Sequence, residues 1–306
     1  MKRGHYFVIL TGILSGTIIF GGAFFAKMGL SLFQIAIFRT VFSLLLFPYL
    51  LYKKDLKIPK KLLIILLAFG LIEAMAVLLE FAPVVLGIPV SITVLLLYTA
   101  PIWTIIFGKF IFKEKITLMK IISILLVLLG AIILINPSSI AKIGSVAGII
   151  IALAGGVFLS LWSIFGKLCG NENSSPFKTQ FYTIFFMLIF LSILHPIISF
   201  FIKDPSLVKF SFDLPGNIWI YLLLFAVVSN LVPHLFYYKG IKEIPVSTAG
   251  VILLLEPLSG TLLAALFLFQ AITFNIFLGG ILILVANYLV IKSESKIVVL
   301  LPEGPR

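Results

Sequence analysis

Apolar runs long enough to cross a bilayer follow one another along almost the whole chain, with only short gaps between them. They lie at about 5–26, 31–52, 62–82, 88–111, 118–136, 145–167, 177–202, 217–239, 244–270 and 273–292, parted by clusters of Lys, Pro, Gly and Asn. One helical span takes about 20 apolar residues, so with a short connector to each the 306 residues hold about ten such units. Only 11% of side chains are charged, against the roughly 25% with which a soluble domain covers its surface. The expectation is an all-α integral membrane protein of ten transmembrane helices, with no room for a sizeable extramembrane domain.

The basic residues give an orientation. Of 23 Lys and Arg, 18 fall in one set of alternating segments and 4 in the other, and Arg39 lies within a span. By the positive-inside rule the richer set is cytoplasmic, which puts both termini inside. The net charge of +12 is spread through these short clusters, a pattern that suits a membrane surface and excludes a nucleic-acid partner. The first run, from Phe7 to about Ala26, is too long for a signal-peptide core and reads as a retained helix. The single Cys169 excludes a disulfide framework, and His5, His195 and His234 lack metal-ligand spacing. No nucleotide-binding Gly-x4-Gly-Lys-[Ser/Thr] loop and no nucleophile elbow is present. No cofactor and no metal are expected.

The chain also repeats itself. Ile88-Pro-Val-Ser91 recurs as Ile244-Pro-Val-Ser247, and at the same offset Pro101 matches Pro257 and Ile116-Thr117 matches Ile272-Thr273. Nearer the start, Gly16 and Lys27 match Gly156 and Lys167, and Ser31-x-Phe33 matches Ser175-x-Phe177. The repeat unit holds five spans. Five is odd, so the second copy enters the membrane from the opposite side, which predicts two inverted five-helix repeats over residues 1–140 and 141–306, the latter ending in a short cytoplasmic tail.

Ten spans, the five-plus-five duplication and the stretch Ile244-Pro-Val-Ser-Thr-Ala-Gly-Val-Ile-Leu-Leu-Leu-Glu-Pro257 resemble the drug/metabolite transporter superfamily, EamA type. The resemblance covers residues 5–292. The first half departs from it, with Ala100-Pro101 where the second has Glu256-Pro257. Membership implies metabolite export or exchange without ATP hydrolysis and leaves the substrate open; the short loops and the charge bias suit a cell inner membrane.

Ionisable groups inside spans cost about 2.5–3.5 kcal/mol each on insertion scales and so mark candidate sites. Arg39 and Glu73 each lie about 12–14 Å below the outer surface at 1.5 Å per residue; their matched depth and opposite charge predict an ion pair, structural or coupled to transport. Glu256 lies near the midplane of the ninth span, and Pro257 after it frees carbonyls near position 253. Asn230, His234 and Tyr237 share one face of the eighth span. With Tyr98 and Trp162 they are the candidate lining of a substrate cavity with aromatic walls. Glu80 is assigned to a solvated outer vestibule, and Lys27 and Lys167 to the interface by snorkelling. Gly12-x3-Gly16 and Ala152-x3-Gly156-x3-Ser160 mark close helix crossings.

The function expected is secondary transport of a small metabolite, an amino acid or related compound, outward by alternating access. Protons are a coupling ion in one version and absent in a facilitator. The alternative is a membrane-embedded enzyme that uses the buried carboxylates on a lipid or peptide. A receptor or scaffold is disfavoured by the short loops. A homodimer is left open, as are the direction of net flux and the role of residues 293–306.

Overall fold

The computed structural model describes residues 2–44, 47–52, 57–85, 93, 96–135, 146–268 and 274–300, and each regular element among them is helical. Helix α1 is Arg3–Lys27 and α2 is Leu32–Ser43, followed by the short α3, Phe47–Tyr52. Next come α4, Lys60–Val85, α5, Ala100–Phe112, and α6, Leu118–Ile135. The chain continues through α7, Val146–Asn171, α8, Pro176–Phe201, and the one-turn α9, Pro205–Val208. Helix α10, Gly216–Ala226, passes through a π-helical turn at Val227–Leu231 into α11, Val232–Gly240. The last three are α12, Val246–Leu253, α13, Leu255–Leu268, and α14, Phe274–Leu300.

Five stretches are long and apolar enough to cross a membrane: Arg3–Lys27, Lys60–Pro83, Gly148–Asn171, Pro176–Phe201 and Gly216–Gly240. Shorter apolar helices stand at Leu32–Ser43, Ala100–Phe112, Leu118–Gly130, Val246–Gly260 and Phe277–Lys292. The last helix runs eight residues past Lys292, into a segment for which the sequence predicts no structure. Lys53, Lys54, Lys142, residues 88–91 and residues 272–273 lie outside the described residues.

Local chemistry explains several of the boundaries. Ser31 and Gln34 form a reciprocal capping box at the start of α2, with bonds of 3.1 and 3.0 Å. Ser175 caps α8 in the same way, accepting the Lys178 N–H at 3.2 Å. The repeated Ser-x-Phe is thus a helix start in both places. Gly29 makes the turn between α1 and α2 at φ +85°, a conformation that favours glycine. Two apolar segments are broken just before a proline. The helix ahead of Pro101 opens into a turn at Tyr98-Thr99, and the one ahead of Pro257 opens at Leu254. Thr99 N–H bonds Leu96 O and Leu254 N–H bonds Val251 O, the same tightened turn at both sites. A proline ring collides with the carbonyl four residues back, which places the break where it is observed.

Helix α1 packs on α11, α12 and α13, and α7 packs on α4 and α5. Helix α4 lies on α8, α2 lies on α10 and on α8, and α6 lies along α14. The glycine ladders sit at two of these crossings. A Cβ on Gly16 would collide with Ser259 Oγ, and one on Gly156 would stand 2.5 Å from Thr99 Oγ1. Backbones touch there as the small-residue pattern predicts.

One end of the bundle is tied by charge. Lys167 Nζ donates to the carbonyls of Ile241 (2.6 Å), Lys242 (3.2 Å) and Ile244 (2.8 Å), so it caps the α11 end rather than snorkelling into solvent. Glu114 accepts the Val246 and Ser247 N–H groups at 2.6 and 3.2 Å, and the Ser247 hydroxyl, at the start of α12. Lys120 Nζ, itself buried, donates to Ser247 Oγ at 2.5 Å and lies 3.7 Å from Glu114. Lys27, the expected counterpart of Lys167, is exposed.

Candidate functional site

The two helix breaks face one shared cavity. Leu97, Tyr98, Ala100 and Pro101 line it from the first break, and Leu253, Leu254 and Glu256 from the second. Such breaks leave backbone groups that only a cavity or packed protein can satisfy. Arg39 enters from α2, Glu73 and Glu80 from α4, Trp162 and Ser163 from α7 and His234 from α11. Six of the eight residues singled out from the sequence therefore line one cavity: Arg39, Glu73, Tyr98, Trp162, His234 and Glu256.

Asn230 and Tyr237 stand behind that lining. The Tyr237 hydroxyl donates to Ser163 O at 3.3 Å and its ring packs 4.3 Å from Trp162, so it braces the indole. Trp162 in turn lies 4.9 Å from the His234 ring. Asn230 sits in the π-helical turn, donates to Ser43 Oγ at 3.0 Å and accepts from Gln180 Nε2 at 3.4 Å. Asn230 and His234 share a neighbour, since Gln180 Nε2 lies 3.4 Å from each.

The expected ion pair is not made. Arg39 is 2% exposed and no hydrogen bond or ion pair joins it to Glu73 among the described residues; its Nε and Nη1 are buried without hydrogen-bond partners. The guanidinium instead stands 5.9 Å from the Phe81 ring and 5.8 Å from that of Phe225. Both Glu73 oxygens also lack hydrogen-bond partners, and the nearest cationic candidate is His234 Nδ1, 3.6 Å from Glu73 Oε1. Glu80 is no vestibule residue either: it is 8% exposed and lines the same cavity. Tyr98 Oη completes a set of buried polar atoms with nothing to bond. Native interiors satisfy nearly all such atoms, and here several of the unpartnered ones, on Arg39, Glu73 and Tyr98, belong to residues that line one cavity.

Gln180 is a site neighbour that the sequence pattern does not single out. It is fully buried on α8 and reaches both Asn230 and His234. The signal is present, an amide in an apolar run, but it stands three residues into its expected span, where polar groups attract no notice.

A helical protein with several long apolar helices and many exposed apolar side chains is, in class, a multi-pass membrane protein. The chain belongs to the EamA-like transporter family, whose model matches residues 2–136 and 146–292. An uncharacterized transporter of Clostridium kluyveri is 30% identical over 97% of this chain and 95% of its own. One from Archaeoglobus fulgidus is 22% identical over 93% and 94%, respectively. A protein of Escherichia coli K12 named a probable amino-acid metabolite efflux pump is 25% identical, covering 81% of this chain and 82% of its own. A crystal structure at 16% identity shares the fold, with a TM-score of 0.75 over 94% of this chain and 97% of the other. The protein is thus a membrane transporter and not an enzyme on lipid or peptide.

Proposed function

We propose that this protein exports a small metabolite, an amino acid or a close relative, by alternating access around the cavity between α4, α5, α7 and the α12–α13 break. The observation that carries the reading is that single cavity. It is bounded by two matching helix breaks and holds one guanidinium, three carboxyls and an imidazole, with the Arg39 and Glu73 atoms short of hydrogen-bond partners. Arg39 suits a carboxylate, for which guanidinium is the preferred partner. Glu73, Glu80 and Glu256 suit an ammonium, and Leu97, Trp162 and Leu253 give an apolar side chain a place to rest. The efflux-pump relative adds support for an amino-acid-like cargo and an outward direction.

The transport cycle follows from two inverted halves, residues 1–140 and 141–306, that rock about the site. Ten crossings, with both termini on the cytoplasmic side of the inner membrane, complete this topology. Support comes from the packing of α1, α2, α4 and α5 on helices of the second half. Exchanging α1 with α7, α2 with α8, α4 with α10–α11 and α5 with α12–α13 turns each of those contacts into another of the same set. The family model's two stretches favour the same division.

Counterflow into proteoliposomes, with a panel of labelled amino acids, sugars and nucleotides, tests the function. Exchange of unaltered amino acid is the expected result. Glu256→Gln should lower that flux about tenfold or more, the scale of a lost charged hydrogen bond, in protein that still purifies folded; wild-type flux in the variant would remove Glu256 from the mechanism.

A further inference from the structure

Two helices that begin at the same end of the bundle, α1 and α12, start without an acid of their own. Neither has an acidic residue in its first turn, and Pro245, just before α12, has no side-chain oxygen to offer the free N–H groups. Each borrows a carboxylate instead. Glu114, on the turn after α5, accepts the Val246 and Ser247 N–H groups at 2.6 and 3.2 Å and the Ser247 hydroxyl. Glu243, on the turn before α12, accepts the Gly4 N–H in the first turn of α1 at 2.7 Å. Leftover N–H groups and the helix dipole both favour a negative charge at such a start. In the division proposed above the two bonds cross. The first half lends Glu114 to a helix of the second, and the second lends Glu243 to a helix of the first. The contact also needs two glycines: a Cβ on Gly4 would stand 2.6 Å from Gly240 O, and one on Gly240 would stand 2.6 Å from Gly4 O. Lys120, 4% exposed on α6, lies 3.7 Å from Glu114 and donates to Ser247 Oγ at 2.5 Å, so it holds the carboxylate beside its target.

The repeat does not copy these acids. At the offset that matches Ser91 with Ser247, Glu114 answers to Gln270 and Glu243 to Gly87. We propose that Glu114 and Glu243 are a crossed pair of caps that holds this end of the bundle shut at rest, so that the cavity is offered first to the opposite side, and that each transport cycle breaks both caps. The proposal rests on the transport reading and adds which of its two states is the lower. When the halves part here, Val246, Ser247 and Gly4 exchange a carboxylate for water, and Gly4 moves off Gly240. Lys120 stays with Glu114, both in the first half, so the carboxylate leaves without becoming an unpaired charge. That keeps the closure reversible. The Lys61–Glu172 bridge, 2.6 Å long, joins the same halves, but the Lys61 side chain is 75% exposed and a pair so bathed in water holds little. At the other end of α1, Ser31 donates to Lys209 O at 2.5 Å and Gln34 to Ser211 O at 2.9 Å, bonds between uncharged groups. In the topology proposed above the capped end is cytoplasmic, so loading of an exported cargo is the step that the caps oppose.

Thiol labelling of the full chain in sealed vesicles, with a membrane-impermeant reagent and no cargo, reads which side the cavity meets. Ser15 is buried and lines the cavity, so Ser15→Cys in a Cys169→Ser background is the reporter. Lys115→Cys, in a separate variant, marks the capped side, because Lys115 is exposed on the turn that carries Glu114. Glu114→Gln and Glu243→Gln remove a charge at nearly constant shape. Each should speed reporter labelling from the marked side by about fivefold, the scale of one helix cap, with no gain from the other side. Gly240→Ala forces the same closure apart without touching a charge and should do likewise, which keeps the test open if a Gln variant does not fold. Lys61→Gln should leave both rates at wild type. Rates unchanged from the marked side would overturn the proposal, and so would rates raised from both sides, as in a protein merely loosened. Counterflow of the labelled panel stands apart from this result. If no member of the panel moves, the transport reading fails, and the labelling still decides whether the caps hold this end shut.

Discussion

Arg39 is the residue whose surroundings say most about cargo. Under the proposed function, its guanidinium, 2% exposed, set between Phe81 and Phe225 and without acceptors at Nε and Nη1, is the partner for a cargo carboxylate. Arg39→Gln should therefore lower counterflow of an α-amino acid by about 10- to 100-fold, the scale of a lost charge-assisted bond, and should spare a primary amine with the same side chain. Competition by the amine and the amino acid in one assay checks this; equal losses for both would place Arg39 in structure alone. Arg39, Glu73, His234 and Glu256 are legible in the sequence because a polar or charged group inside an apolar run is rare and expensive. Glu80 is harder to place, because the apolar pattern ends its span at 82, whereas α4 continues to Val85 and carries that carboxyl inward. The Arg39–Glu73 pair fails for a different reason: matched depth fixes height in the membrane and says nothing of the direction a side chain takes around its helix.

Elements carry the repeat more plainly than single side chains do. The Ser-x-Phe and Pro matches are helix starts and helix breaks, so the pattern in the sequence is a pattern of backbone events. The π turn at Val227–Leu231 leaves no such trace, because an inserted residue changes register without changing composition. The close crossings give a direct prediction. Gly16→Leu would drive its side chain into Ser259 and Gly260, and Gly156→Leu into Thr99, at the cost of about 1–3 kcal/mol that overpacking usually exacts. Both should melt well below wild type in a tryptophan-fluorescence unfolding scan, whereas Gly216→Leu, where an added Cβ meets nothing within 4 Å, should not. At the charged end, Glu114→Ala removes the acceptor for two N–H groups at the start of α12, a loss of about 1 kcal/mol by analogy with helix caps. Faster hydrogen exchange at Val246 and Ser247 would register it; unchanged exchange would mean that Glu114 does not hold this end.

For the molecule as a whole, the asymmetry between its two ends matters most. Lys167 and Glu114 fasten one end, the cytoplasmic one in the topology proposed above, while Lys27 stands exposed at the other. Alternating access requires that such fastenings be temporary and that the cavity open in turn to either side. Ser15 lines the cavity and is buried, so a lone thiol there, in a Cys169→Ser background, reports which side has reached it. The account predicts that a membrane-impermeant thiol reagent labels Ser15→Cys both in right-side-out and in inside-out vesicles, and that transported amino acid slows both reactions. Labelling from one side only, whatever cargo is present, would contradict it.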